Sequence, residues 1–590
     1  MRWIPRNSPK TNDASETSAR EFAEQLAHAR KLSPLIARLL AERGIADEDA
    51  GRRFLDPQLS DLHSPYLMNG MRAAVERLSA AIERHERVLI YGDYDVDGTM
   101  ATVILKTAIE ICGGSCEFHV PHRILEGYGM RDEVIERAGA DGVRLIISVD
   151  TGIRAFAAAE TAKKLGLDLI VTDHHLPQEH GVPDALAVLN PNQHGCEYPS
   201  KDLCGAGVAF KVAQALLEKY GRERLVPSFL KIVAIATIAD AVPLVEENRV
   251  FTKLGLQELR RPVNPGLRAL LDVCELTHGR TVTATEVAFR IAPRMNAAGR
   301  MDVAKDVIEL FTVKDAARAR EIAQHLDRLN GSRQQEEARI TAAILQRVDA
   351  APEMRDAFCM VLDGEGWHRG VIGICASRVV DRYGRPALVI SRDGEEAHGS
   401  GRSIAAFHLL NALESCGELF TRYGGHAHAV GFALPSSRIE ELRERMNTFA
   451  KARLEEKDFE RTLHYDAEVS LAEVDEAFFA GLQQLEPFGM GNPEPVFVTR
   501  GVRSVAEARL LKEKHLKLRL QRSPDAGRQA STMEALGWRM AEKCAREPVS
   551  TGALLDIAFR VERNQHPEYG GALQLILSDY TVPVSATGRL

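Results

Sequence analysis

The 590-residue chain contains no CxxC pair; its nine cysteines stand scattered. That spacing argues against a thiolate zinc site and a disulfide framework, and it fits a reducing compartment, the cytoplasm. Cys112 and Cys116 are expected simply to pack where a helix runs into a loop. No stretch approaches the roughly 20 apolar residues of a membrane span, so no membrane partner is expected. Met1 to Arg30 is polar and charged, unlike a secretory signal. Excess positive charge is missing too, since the formal net charge is −8. Any nucleic-acid contact must therefore come from local basic surfaces. What is present, 45% hydrophobic and 27% charged residues, is the composition of a soluble globular protein. The length calls for roughly three to five domains.

One stretch organises the rest: Val88-Leu89-Ile90-Tyr91-Gly92-Asp93-Tyr94-Asp95-Val96-Asp97-Gly98-Thr99. An apolar run gives way to three alternating aspartates and then to a helical pattern, Met100 to Ile111. A buried parallel strand hands over to a helix in this way, with carboxylates at the sheet edge where open α/β folds place ligands. If the extended conformation continues, Asp93, Asp95 and Asp97 project to one side. A solvated Asp/Gly turn explains the same residues. Further apolar runs end in Asp150, in Asp173-His174-His175 and in Asn190, and Ile232 to Ile238 leads into Asp240. All are expected as elements ending at one edge of a parallel sheet. Asp93, Asp95, Asp97, Asp150, His174, His175 and Asp240 then form one candidate site. Carboxylate with imidazole suits Mn²⁺ or Mg²⁺, and a bridging carboxylate can hold two ions roughly 3.5–4 Å apart for in-line displacement at phosphorus.

The surrounding pattern predicts two α/β lobes joined by a long helix, then a small β-barrel. Residues 1–70 read as a helical segment, 71–305 as the first lobe, 306–352 as the connecting helix, 353–458 as the second lobe and 459–590 as the barrel. The bridging reading rests on the helical spacing of Ala319, Ile322, Ala323, Leu326 and Leu329, interrupted only by Gly331. Gly399 to Ser403 and Gly424 to Gly431 are glycine-rich, and with Arg402 alongside they suit anion binding. After residue 462 the period switches to two. Between Arg500 and Arg528 nine Lys/Arg face three Asp/Glu. There, His515-Leu516-Lys517-Leu518-Arg519-Leu520 places leucines inward and basic side chains outward. Such a face suits single-stranded nucleic acid, and a charged edge strand that deters aggregation would look the same.

The ordered set Asp93 to Gly98, Ser148 to Gly152, Thr172-Asp173-His174-His175 and Ala239-Asp240 resembles the four motifs of the DHH phosphoesterase family. Gly370 to Arg378, Gly399 to Ser403 and Gly424 to Gly431 are similar to its associated domain. With Arg294 to Met301 and a terminal barrel, the resemblance from Val88 onward is to the family's exonucleases. It implies a nuclease that removes nucleotides 5′ to 3′ from single-stranded DNA in recombinational and mismatch repair. Two Mn²⁺ or Mg²⁺ ions would work in a cleft too narrow for duplex. Carried over by position, Asp95 and Asp97 are ligands, Asp150 bridges, and His174 and Asp240 complete the second ion's shell. His175 would face the scissile phosphate. Phosphatase relatives have a histidine where Tyr91 stands, which leaves open whether Asp93 is a direct ligand. Arg378, Arg402 and His426 match phosphate- or strand-end-binding positions, Arg294, Asn296 and Arg300 a motif near the site. Gln334, Lys517 and Arg519 are further DNA-contact candidates. The expected protein is a monomer, acting alone or beside single-strand-binding protein and a helicase. Two alternatives remain: a phosphodiesterase for oligoribonucleotides or cyclic dinucleotides, and a replication scaffold without activity, against which the intact ligand set argues.

Overall fold

The structure, a computed structural model, describes residues 1–6, 23, 25–28, 32–123, 126–127, 129–276, 279–301, 304–522, 531–564 and 571–583. Leader residues 7–22 and the 523–528 end of the basic run lie outside the described residues. The chain divides into two compact units. One is Gln58–Glu460; the other joins Met1–Pro57 to Arg461–Leu590.

In the first unit β1 (Arg87–Tyr91), β2 (Cys116–His119), β3 (Val143–Val149), β4 (Asp168–Thr172) and β5 (Ala187–Leu189) form a parallel sheet. Its order is β2-β1-β3-β4-β5. The strands are near-continuous runs of Val, Leu and Ile because both faces are covered. The winding reverses between β1 and β3, and the crevice at that switch point is where doubly wound sheets bind ligands.

Three sequence expectations are corrected here. β1 ends at Tyr91, and Asp95 caps helix α1 (Val96–Ile111), accepting from the Gly98 N–H at 3.0 Å, with Asp97 in the first turn. The three aspartates are therefore brought together by a strand–loop–helix corner and do not alternate along a strand. Cys116 opens the edge strand β2, where a loop was expected. The run before Asp240 is not a strand. After α2 (Gly205–Lys219), Leu230–Ala239 forms a helix, α3, with Asp240 at its C-cap. Seven of its ten residues are buried. A helix apolar on every side carries no amphipathic period to distinguish it from a strand.

Helix α4 (Ala292–Met301) follows a π-helical turn, Val287–Ile291, and leads towards the 35-residue helix α5 (Ala316–Ala350). Ala319, Ile322, Ala323 and Leu326 of α5 are buried in the core of the first lobe. Ile340, Ile344 and Val348 are buried in that of the second. The bridge reading therefore holds, and Gly331 does not break it.

The second lobe contains β6 (Met360–Glu365), helix α6 (Ile372–Tyr383), β7 (Ala387–Asp393), β8 (Glu396–Arg402), β9 (Arg422–Gly425) and β10 (Ala429–Pro435). The sheet order is β9-β10-β8-β7-β6, and only β6 and β7 run parallel. Both glycine-rich stretches lie largely in strands of this sheet. A Cβ at Gly399 would strike the Phe432 ring, and one at Gly401 would strike Leu388 and Leu409. Packing, not freed backbone amides, requires those two glycines.

In the other unit, β11 (Ala467–Glu468), β12 (Phe497–Arg503), β13 (Arg509–Leu511), β14 (His515–Gln521), β15 (Thr532–Gly537), β16 (Leu554–Arg563) and β17 (Leu573–Thr581) form a sheet of order β11-β12-β16-β17-β15-β14-β13. It is an open, OB-like sheet, not a closed barrel. It curls until Ser504, just past β12, bridges Leu520 on β14, with the Val505 N–H donating to the Arg519 carbonyl at 2.9 Å. Leu516, Leu518 and Leu520 are buried and the residues between them point outward. The expected strand 462–469 is broken at Asp466, and its first part, Thr462–Tyr465, pairs in parallel with Arg2–Pro5. Ile36, Leu39 and Leu40 of the helix Pro34–Glu42 join the core of this unit.

Candidate active site

The carboxyl ends of β1, β3 and β4 and the C-cap of α3 converge. His174 Nε2 lies 3.3 Å from Asp150 Oδ1, 3.7 Å from Asp240 Oδ2 and 3.8 Å from Asp97 Oδ2. Three overlapping groups of donor atoms each fall within 4.8 Å: Asp93, Asp95 and Asp150; Asp97, His174 and Asp240; Asp150, His174 and His175. Asp150 and His174 each belong to two of them. Asp150 holds a left-handed backbone, φ 59°, at the end of β3. That conformation is costly for a residue other than glycine and typical of functional sites.

The surroundings position these groups. The amides of Gly205 and Ala206, at the start of α2, donate to Asp97 Oδ2 and Oδ1 at 2.5 and 2.8 Å, an anion on a helix N-terminus. Buried Asp173 accepts from the Ile153, His174 and His175 N–H groups and from His175 Nδ1 at 2.8 Å. Its role is to hold the His175 ring by Nδ1. Asn190 and Asn192 donate to the His175 and His174 carbonyls, both at 2.9 Å. Asn296 on α4 accepts from the Val96 N–H at 3.2 Å and so holds the start of α1.

Burial, then mutual repulsion, raises the pKa values of Asp93, Asp95 and Asp150, most strongly for Asp93 and Asp150. The same causes push Asp240 up to about 9. Burial lowers the His174 imidazole. At His175 burial is outweighed by the Asp173 hydrogen bond and charge, and its value rises. Asp93 Oδ1 and Asp150 Oδ1 are buried without a hydrogen-bond partner among the described residues. Unpaired carboxylate oxygens crowded around a neutral imidazole fit hard divalent cations, which supply the missing charge. Tyr91 does not join the cluster: its buried hydroxyl donates to the Gly129 carbonyl and accepts from the Arg131 N–H.

The remaining candidates separate. Arg300 and Arg402 line a cavity of about 600 Å³ together with Arg123, a residue missed because it sits in a loop with no periodic pattern. The Arg300 guanidinium donates to the Gly370 carbonyl at 3.0 Å. His426 and His175 line a neighbouring cavity of about 470 Å³. Arg294 is occupied by Asp327 at 2.8 Å, and Arg378 by Glu337 at 2.9 Å. Gln334 is exposed on α5, outside these cavities. In the other unit, Lys517 pairs with Glu534 at 2.9 Å and Arg519 donates to the Thr532 hydroxyl at 3.1 Å. Arg500 and Arg522 are likewise engaged, by carboxylates and by backbone carbonyls. Arg509, Lys512 and Lys514 have no carboxylate partner among the described residues, and the half-exposed Trp538 stands against His515.

This sheet, with its carboxylates and histidines at the switch point and its glycine-rich second lobe, defines a DHH-class phosphoesterase. Residues 87–237 match the DHH family, N-terminal domain, 356–452 the DHHA1 domain and 465–579 the RecJ OB domain. The single-stranded-DNA-specific exonuclease RecJ of Dickeya dadantii is 36% identical over 557 residues, 91% of each chain. RecJ from Thermus thermophilus in complex with Mn²⁺ is similar in structure, with a TM-score of 0.81 and 30% identity over 99% of this chain and 80% of that one. Its complex with Mg²⁺ gives 0.75 and 28% over 99% and 79%. The chain belongs to the RecJ family.

Proposed function

We propose that this protein is a metal-dependent exonuclease that takes single-stranded DNA and hydrolyses its phosphodiester bonds from the 5′ end, in recombinational and mismatch repair in the cytoplasm. The observation that carries the reading is the convergence of His174 Nε2 on Asp97, Asp150 and Asp240. Asp93, Asp95, Asp97, Asp150, His174 and Asp240 would hold two Mn²⁺ or Mg²⁺ ions, with Asp150 shared. Such ions supply a nucleophilic water at neutral pH and offset charge on the attacking and leaving oxygens.

The chain's own residues do the rest. The α2 amides fix Asp97, and Asp173 fixes the His175 ring beside Asp150 and His174, where the imidazole donates a proton to an oxygen of the scissile phosphate. Arg123, Arg300 and Arg402, none with a carboxylate partner among the described residues, receive the terminal phosphate. Arg300 lies within electrostatic reach of Asp95, so a strand end held there presents its next phosphodiester to the carboxylates. In the OB-like unit, Arg509, Lys512, Lys514 and Arg519 with Trp538 offer charge and a stacking surface to single-stranded DNA. Action as a monomer, beside a single-strand-binding protein and a helicase, is part of the same proposal.

The test uses single-stranded DNA labelled at either end, with Mn²⁺, Mg²⁺ or chelator and a duplex control. Stepwise loss from the 5′ end of the single strand, abolished by chelator and by Asp150→Ala while DNA binding persists, is expected. Hydrolysis of short oligoribonucleotides or cyclic dinucleotides but not DNA would replace this reading. So would binding without hydrolysis, as in a scaffold.

A further inference from the structure

The cavity that holds Arg300 and Arg402 carries more positive charge than one terminal phosphate needs. Among the described residues, five arginines and no carboxylate line its roughly 600 Å³: Arg123, Arg300, Arg369, Arg402 and Arg422. Their placement divides them. On the central strand β10, Ala429 pairs with Arg402, whereas Ala433 pairs with both His398 on β8 and Arg422 on β9. Residues four apart on a strand point to the same face, and their rows lie about 13 Å apart. Arg402 therefore marks one end of the cavity floor, and Arg422 with His398 marks the other.

The Arg402 end is the end near the carboxylates. Arg300 and Arg123 stand with Arg402: burial, then repulsion from Arg123, Arg333 and Arg402, lowers Arg300 to about 10, while Asp95 attracts it. At the other end, Arg369 and Arg422 both act on the His398 imidazole. Two carboxylates border that end. Asp393 pairs with Arg369 at 3.0 Å and Glu396 with His398 at 3.2 Å, both more than half exposed. Arg422 has no ion-pair partner among the described residues. A single phosphate seated at Arg402 leaves this outer pair unused. A chain of phosphates running away from the carboxylate cluster reaches it.

We propose that the cavity accepts a 5′-polyphosphate strand end, the first phosphate on Arg123, Arg300 and Arg402, the second and third on Arg369 and Arg422. The proposal rests on the reading of the site as a 5′-end nuclease. On a 5′-triphosphorylated strand, water attacks the phosphorus joining the first two nucleotides and the bond to O3′ of the first breaks. That O3′ takes a proton. The first nucleotide leaves as a nucleoside 5′-triphosphate, and the strand continues with a 5′-monophosphate.

Oligodeoxynucleotides of one sequence with a 5′-hydroxyl, 5′-phosphate or 5′-triphosphate test this in two ways: product analysis with Mn²⁺, and binding by fluorescence anisotropy in chelator. A nucleoside triphosphate should be the first product of the third strand and monophosphates should follow. Arg422→Gln and Arg369→Gln should each weaken binding and first-step kcat/KM for the triphosphorylated strand by on the order of tenfold, leaving the monophosphorylated strand within about twofold. A triphosphorylated strand treated no better than the 5′-hydroxyl strand overturns the proposal, as do variants that affect both phosphorylated strands alike. Free nucleoside triphosphate that competes strongly while the triphosphorylated strand stays intact assigns the outer pair to a soluble nucleotide instead, and also overturns it. The monophosphorylated strand reports separately: if it is not degraded, the 5′-end nuclease reading itself has failed.

Discussion

At the scale of single residues, the site stores repulsion. Asp93, Asp95, Asp150 and Asp240 all have carboxyl groups raised above their ordinary range by burial and by one another. A carboxyl group whose folded value lies above its unfolded value stabilises the fold at low pH, and that contribution disappears as pH rises through the folded value. For Asp240 the window extends from about 4 up to about 9. Chelated protein should therefore lose Tm between pH 6 and 9, and this slope should flatten in Asp240→Asn. Because cations bind the deprotonated groups, the Tm gain from Mg²⁺ should grow with pH over the same range. Scanning calorimetry at several pH values reads both, and an equal Mg²⁺ gain at all of them would sink the account. The acidic and histidine donors were legible in sequence because each ends an apolar run. Arg123 and the clamping Asn190 and Asn192 were not, nor was the orienting role of Asp173. The asparagines clamp backbone carbonyls 15 and 18 residues away, which no local side-chain pattern encodes.

At the scale of elements, the first turn of α2 presses against the cluster. A Cβ on Gly205 would stand 2.5 Å from both Cβ and Oδ1 of Asp150. Gly205→Ala must move either Asp150 or the amides that hold Asp97. We expect cleavage to fall by at least about tenfold while far-UV circular dichroism stays native, since a displacement near 1 Å in a positioned group costs that much or more. Activity within twofold of the parent would show that the contact is not a positioning one. Elements with strong periods were legible: α1, α5 and the parallel strands β1, β3 and β4 lie where spacing put them. α3 was not, because uniform burial erases the signal that separates a helix from a strand. Nor were β10 and β8, the latter with Gly399 and Gly401 serving close packing of Phe432, Leu388 and Leu409.

At the scale of the whole molecule, two α/β lobes share one rigid helix, and the OB-like unit is assembled from both ends of the chain. The pairing of Arg2–Pro5 with Thr462–Tyr465, and the burial of Ile36, Leu39 and Leu40 beside Phe497 and Leu555, escape any reading of neighbouring residues. They join positions more than 400 residues apart. Residues 461–590 expressed alone should lack this apolar cover and unfold or aggregate, whereas 58–460 should give a cooperative thermal transition and resist proteolysis. A stably folded 461–590 fragment would contradict the shared core.

That assembly has a consequence for the order of synthesis. Residues 1–57 leave the ribosome well before their partners, which begin only at Arg461. At 5–20 residues per second the intervening stretch of about 400 residues takes ~20–80 s to translate. For that time the nascent segment carries Ile36, Leu39 and Leu40 without the core partners Phe497 and Leu555. The catalytic lobes can already be folded and closed around their core. The nascent chain is then most open to chaperones, and to premature proteolysis, over this early segment.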